Sequence, residues 1–158
     1  MRHQIGDTTE QDSRSAAGLI ASSVRGMDLR LAHCFITVHD ADEALTFYRD
    51  VLGLELVNDV AKGPYRWLSF SPPTQPEPQI VVSNWLSPNP ADAEQIAALL
   101  AKGALQAVNF STSDLDTTFE KIRATGAEVL QEPTDQPYGV RDCAFRDPSG
   151  NLVRINQR

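Results

Sequence analysis

The chain has 158 residues, of which 41% are hydrophobic and 22% are charged, a composition typical of a soluble globular protein of about one domain. Its 14 basic and 21 acidic residues give a net charge of −7. That charge argues against nucleic acid or an anionic membrane surface as the partner, because both attract positive charge. No apolar run approaches the ~18 residues of a membrane span, and no signal-peptide pattern opens the sequence. The two cysteines, Cys34 and Cys143, predict reduced core residues in a cytoplasmic protein.

Residues 1–27 are predicted to be a flexible N-terminal extension. Residues 7–15 are polar and lack apolar periodicity. Residues 15–24 either form one short helix, since three apolar side chains share a face there, or belong to the same flexible tail.

Residues 28–86 are predicted to form a first module. An apolar, β-rich run from 29 to 38 predicts a strand. Asp40 is placed to cap a helix that Gly53 ends. Three strands are then expected, at 54–60, 65–70 and 79–85.

A second module repeats this order. Residues 87–103 are predicted to be a connecting helix, and residues 104–158 again give a strand, a helix capped by Asp114 and three strands. Segments of the two halves align at offsets of 74, 75 and 72 residues. A tandem βαβββ duplication is the economical interpretation.

Four stretches carry a resemblance to a known family: 33–40, FYRDVLG at 47–53, YGVR at 138–141 and FRDPSGN at 145–151. On these motifs the chain resembles the vicinal oxygen chelate superfamily, which includes glyoxalase I, bleomycin-resistance and fosfomycin-resistance proteins and extradiol dioxygenases. The resemblance implies an α+β fold in which two tandem βαβββ modules form a cupped mixed sheet. The motifs are structural, so they identify the fold and not the reaction.

In metal-dependent members of that superfamily, each module supplies one ligand from its first strand and one from its last. The resemblance places these positions on His33, Val82, Ala107 and Arg154. Only His33 offers a lone pair, and a guanidinium repels a cation. Since divalent metals need three or more oxygen, nitrogen or sulfur ligands, we expect no metal site and no cofactor.

Strand alternation predicts the lining of the cup. It groups His33 with Phe35, Val82 with Asn84, and Ala107 with Asn109. Trp67, Trp85 and Tyr138 are expected to be flat walls for a planar or aromatic ligand. The predicted ligand-binding residues are therefore Phe35, Trp67, Val82, Asn84, Ala107, Asn109 and Tyr138. For Tyr138, which precedes a glycine in a loop, the alternative is a packed surface tyrosine.

Two residues are candidates for catalysis, and each has a structural alternative. Arg154 either clamps a carboxylate or phosphate or forms a salt bridge with an internal carboxylate. His33 is either a general base or a histidine hydrogen-bonded in the sheet.

Two classes of function remain open. The first is a metal-independent protein that binds a small organic ligand, aromatic or anionic, in the cup. The second is an enzyme of the superfamily, a lyase, isomerase, hydrolase or dioxygenase, that uses His33 and Arg154 or a metal site not recognised from the sequence. Metal-dependent glyoxalase I activity is disfavoured by the missing ligands. The resemblance also implies a homodimer, with clefts built across its interface.

Overall fold

A computed structural model describes residues 28–105 and 107–158, and for residue 107 only the backbone. The predicted N-terminal extension, 1–27, lies outside the described residues. Residues 32–158 form one compact unit, and this unit holds every helix and strand of the described residues.

The first module begins with strand β1 (His33–Thr37) and helix α1 (Ala41–Leu45), which continues as a wider π-helical turn over Thr46–Val51. Strands β2 (Glu55–Lys62), β3 (Tyr65–Ser71) and β4 (Gln79–Ser83) follow. They form a sheet in the order β1-β4-β3-β2, with β1 parallel to β4 and the other neighbours antiparallel. We call this the first sheet.

Helix α2 (Pro90–Ala101) connects this sheet to the second module. That module consists of β5 (Ala107–Thr112), α3 (Leu115–Ala124), β6 (Glu128–Asp135), β7 (Arg141–Arg146) and β8 (Leu152–Gln157). Its sheet, the second sheet, has the order β5-β8-β7-β6 and the same mixed directions as the first. The α+β class and the tandem βαβββ order predicted from the sequence are therefore confirmed.

The helices begin where side-chain caps satisfy their first N–H groups. Oδ1 of Asp40 accepts hydrogen bonds from the backbone N–H of Asp42 and Glu43 at 2.7 and 3.0 Å. Oδ1 of Asp114 accepts one from Thr117 at 3.0 Å. Both caps were predicted from the sequence. Within the described chain, no helix is long and apolar enough to cross a bilayer.

The buried hydrophobic side chains of both modules form a shared core. Tyr48 and Phe70 from the first module belong to it, as do Phe119 and Phe145 from the second. Cys143 is buried there, and burial raises the pKa of its thiol to about 11. Cys34 is exposed, so the prediction that both cysteines lie in the core is wrong for Cys34. It shares a side of β1 with the buried Ile36 but lies near the exposed start of the strand, where burial has not yet begun.

A buried hydrogen-bond network joins the modules. The hydroxyl of Tyr48 donates to Oδ2 of Asp147 at 3.0 Å, and Nδ2 of Asn151 donates to the same oxygen at 2.8 Å. Nδ2 of Asn151 also donates to the backbone carbonyl of Thr37 at 2.9 Å. Burial, then the charge of Asp147 and its hydrogen bond, raises the pKa of Tyr48 well above its ordinary value. The FYRDVLG and DPSGN stretches thus contact each other across the module boundary.

One glycine of this turn is required by close packing. Gly150 has a φ of 109°, and a Cβ atom there would collide with the carbonyl oxygen of Leu100 near the end of α2. Only glycine lets the end of the connecting helix lie against the DPSGN turn.

Candidate functional site

The side of the first sheet that faces away from the core carries an open groove. In a sheet, directly paired residues point to the same side. Phe35 pairs with Val81 and Thr37 with Ser83, and Ser83 also pairs with Trp67. These positions therefore share one side of the sheet.

The groove has a volume of about 970 Å³. That is near the upper end of the range for small-molecule sites. We call it the aromatic groove. It is lined by Phe35, Ile36, Thr37, Val60, Lys62, Gly63, Tyr65, Arg66, Trp67, Ser83, Trp85 and Leu86.

Four exposed aromatic side chains dominate this lining. The rings of Phe35 and Trp67 meet edge to face, with centroids 5.1 Å apart. Phe35 is 58% exposed, and Trp85, Tyr65 and Trp67 are 50%, 45% and 40% exposed. A contiguous exposed apolar surface of this kind marks an interaction site rather than ordinary protein surface.

The groove also contains two basic side chains. The guanidinium of Arg66 is held by Asp59, whose oxygens accept from Nε at 2.8 Å and from Nη2 at 2.6 Å, and by Asp42. The hydrogen bonds from Asp59 and Asp42 raise the pKa of Arg66. The side chain of Lys62 has no ion pair or hydrogen bond within the described part of the chain. It pairs directly with Tyr65 across the β2–β3 hairpin.

Phe35 and Trp67, predicted as ligand-binding, both line the aromatic groove, and their binding role stays a prediction. The predicted place of Val82 in the cup lining is wrong, because Val82 is fully buried in the core. The sequence alignment matched it to Arg154, whereas the pairings of Phe35 with Val81 and of Asn109 with Arg154 make Val81 the equivalent residue. A shift of one residue reverses the side on which every side chain lies.

Asn84 has a structural role instead of lining the groove. Its Oδ1 accepts a hydrogen bond from the backbone N–H of Arg66 at 2.8 Å, and its Nδ2 donates to the carbonyl of Pro64 at 3.0 Å. These two bonds fix the β2–β3 hairpin. Tyr138 is 68% exposed and does not line the groove, which fits the surface-tyrosine alternative.

On the corresponding side of the second sheet, an ion pair and its hydrogen-bond partners occupy the surface that is open in the first sheet. We call this group, Gln131, Gln136, Asp142 and Arg154, the closed network. Asp142 is 1% exposed, and its Oδ2 accepts a hydrogen bond from Nη1 of Arg154 at 2.6 Å. Its Oδ1 accepts from Nε2 of Gln131 and of Gln136 at 2.7 and 2.8 Å. Burial acts to raise the pKa of Asp142, but the hydrogen bonds from Gln136, Arg154 and Gln131 outweigh it, so the pKa lies below its ordinary value.

Arg154 therefore adopts the alternative of a salt bridge to an internal carboxylate. His33 lies on β1 of the first sheet and Arg154 on β8 of the second. Asn109 pairs with Arg154 and is exposed, and Ala107 pairs with Leu152. None of these four residues lines the aromatic groove.

The four positions implied for metal ligands do not fit a divalent cation. His33 is exposed on one sheet, Val82 is in the core, and the charge of Arg154 is already paired with Asp142. A single imidazole is too few donors for a resident metal. Among the described residues, no cluster of three or more histidine, cysteine or acidic side chains is placed to hold one.

Comparisons with known proteins give a consistent picture. The family model described as Glyoxalase/Bleomycin resistance protein/Dioxygenase superfamily matches residues 30–155. The uncharacterised protein YurT of Bacillus subtilis (strain 168) is 32% identical over 125 residues, which are 78% of this chain and 94% of YurT.

Two solved structures with the same fold illustrate the similarity. UcmS2 is 32% identical, with a TM-score of 0.72, and the match covers 84% of this chain and 100% of UcmS2. TnmS3, an antibiotic binding protein from Streptomyces sp. CB03234, is 25% identical with a TM-score of 0.66, and the match covers 83% of this chain and 98% of TnmS3.

Proposed function

Since the chain belongs to the Glyoxalase/Bleomycin resistance protein/Dioxygenase superfamily, we propose that it is a metal-independent binding protein that holds an aromatic small molecule in the aromatic groove. The observation that carries this proposal is the convergence of Phe35, Tyr65, Trp67 and Trp85 on one open groove. Flat side chains of this kind bury large areas of a planar ligand. The similarity to TnmS3, itself an antibiotic binding protein, supports the same class of function.

Metal independence is supported by the side chains at the implied ligand positions, which provide one imidazole and one already paired guanidinium. Elemental analysis of the purified protein tests it. We expect no stoichiometric divalent metal. A stoichiometric metal that is lost in His33→Ala would overturn this part of the proposal.

The alternative, an enzyme that uses His33 and Arg154, requires both residues to act on one ligand. Neither residue lines the aromatic groove, and the guanidinium of Arg154 is already paired with Asp142. The geometry therefore favours binding over catalysis.

A fluorescence titration tests binding, because both tryptophans of the sequence, Trp67 and Trp85, line the groove. The probe is anthracene-2-carboxamide, a neutral planar molecule. We expect saturable tryptophan quenching and recovery of the unchanged probe by mass spectrometry. Tyr65→Ala should weaken the affinity about tenfold, through the loss of one aromatic contact surface.

The matched control is Tyr138→Ala, because Tyr138 is also an exposed tyrosine but lies outside the groove. Its affinity should equal that of the wild type. Absence of saturable quenching, or equal weakening by the two substitutions, would contradict the proposed site. Chemical conversion of the probe would contradict a pure binding function.

We also propose that the protein is a homodimer, as the family resemblance implies. An exposed apolar side chain of the first sheet outside the aromatic groove supports an interface there, since Val57 on β2 is 44% exposed. Light scattering at micromolar concentration should give twice the mass of the 17.4 kDa chain. A monomeric mass would refute the dimer.

A further inference from the structure

The aromatic groove differs in charge from the rest of the molecule. The sequence has 21 acidic and 14 basic residues, yet the described residues that line the groove include two basic side chains and no carboxylate. An acidic protein repels anions at long range. The lining of the aromatic groove therefore lacks the excess of negative charge that the sequence as a whole carries.

The two basic side chains of the groove are not equivalent. Arg66 is bound to Asp42 and Asp59, so its charge is compensated twice and its guanidinium is held in place. Lys62 is exposed, and the described residues give its ammonium no partner. The uncompensated positive charge of the groove is thus that of Lys62.

The register of the β2–β3 hairpin gives Lys62 a defined position in the groove. Lys62 pairs with Tyr65, and Val60 pairs with Trp67, so a basic-aromatic pair lies next to an apolar-aromatic pair along the hairpin. Trp67 is two residues from Tyr65 on β3, which is about 7 Å at roughly 3.4 Å per residue. At the backbone, the Lys62–Tyr65 pair therefore lies about 7 Å along the hairpin from the Val60–Trp67 pair.

From this arrangement we infer that the groove selects planar aromatic anions, with Lys62 binding the anionic group while the ring system lies against Phe35 and Trp67. The inference rests on the proposed binding function and names its ligand class. A ligand with a carboxylate, sulfonate or phenolate at one end of a fused ring system can place that group at Lys62 while its rings lie against Phe35 and Trp67. A charge-assisted hydrogen bond from the ammonium is stronger than one between neutral groups.

The test compares two probes of equal shape and different charge, anthracene-2-carboxylate and anthracene-2-carboxamide, by tryptophan quenching at pH 7. The wild type should bind the carboxylate about fivefold more tightly. Lys62→Gln should remove this preference and leave the amide affinity within about twofold, since an ion pair at an open site contributes a modest energy. Raising the salt concentration should weaken carboxylate binding alone.

The control variant is Lys121→Gln, which removes the same charge from α3, outside the groove. It should keep the wild-type preference. Equal wild-type affinity for both probes, or a preference that survives Lys62→Gln, would overturn the inference and leave the aromatic site standing. If neither probe quenched the tryptophans, the inference and the proposed function would both fail.

Discussion

The first sheet has Phe35 and Trp67 where the second sheet has Asn109 and Asp142. These positions correspond because Phe35 and Asn109 occupy matching places on β1 and β5, and Trp67 and Asp142 on β3 and β7. The first pair forms the edge-to-face contact of an open groove. In the second sheet, the carboxylate of Asp142 is buried and accepts hydrogen bonds from Gln131, Gln136 and Arg154. The same backbone arrangement therefore carries an open aromatic groove in one copy and a closed polar network in the other.

Other features are the same in both copies. Arg66 joins Asp42 in the first turn of α1 to Asp59 on β2. Arg141 in the same way joins Asp116 in the first turn of α3 to Asp135 on β6. These bridges tie each helix to its sheet. The aromatic groove and the closed polar network thus differ in the side chains on the open sides of the two sheets, while the bridges from helix to sheet are kept.

The largest expected effect comes from breaking the closed network. Asp142→Ala should lower the free energy of unfolding by about 3 kcal/mol, since it leaves Arg154 without its buried partner. Urea denaturation measures this loss. Asp135→Ala, at an exposed aspartate of the same sheet, should change the stability little. A loss equal to that of the control would show that the network does not stabilise the second module.

A matched pair of valines tests the two sides of the first sheet. Val82→Ala should cost about 2 kcal/mol, because it leaves a cavity in the core, and should leave probe affinity unchanged. Val60→Ala, at a side chain 58% exposed in the groove, should cost no more than about 0.5 kcal/mol and weaken probe binding. Urea denaturation and probe titration separate the two outcomes. The reverse pattern would restore Val82 to the groove and contradict the observed register.

The side on which each β4 residue lies could not be predicted from the sequence. The capping residues and the FYRDVLG and DPSGN motifs predict the elements well, because each depends on local chemistry. Alternation fails on β4, because Ile80, Val81 and Val82 are all buried and give no period of two. Without that period, the sequence contains no pattern that would reveal a one-residue error in the alignment of the two halves.

The ion-pair partner of Arg154 could not be predicted from the sequence for a different reason. Asp142 pairs with Asn156 across the antiparallel β7–β8 ladder, and Arg154 reaches it diagonally. Such a contact depends on strand register, which the motifs do not define. The groove itself was predicted in part, since Phe35 and Trp67 were named, whereas Lys62, Val60 and Tyr65 were missed because the edge strand β2 and its hairpin were not assigned to the lining.

The contact between the modules should contribute less than the closed network. Tyr48→Phe removes the hydroxyl that donates to Asp147 but keeps the ring in the core. The expected loss is about 1.5 kcal/mol, the usual contribution of a buried hydrogen bond to a charged group. The control is Tyr138→Phe at an exposed position, which should be neutral in urea denaturation. Equal stability of the two variants would show that this hydrogen bond does not hold the modules together.

The smallest expected effect is a pH dependence that only the second sheet shows. The pKa of Asp142 is lowered in the folded protein, so its ionised form contributes stability above the ordinary carboxyl pKa of about 3.9. That contribution is lost as the pH falls through the lower folded pKa. The wild type should therefore be more stable than Asp142→Asn at pH 6, and the difference should shrink between pH 4 and lower pH in urea denaturation. No carboxylate lines the aromatic groove among the described residues, so the stability difference between Trp67→Leu and the wild type should not change over this pH range. If the difference for Asp142→Asn also stayed constant, the charge of Asp142 would not be what stabilises the closed network.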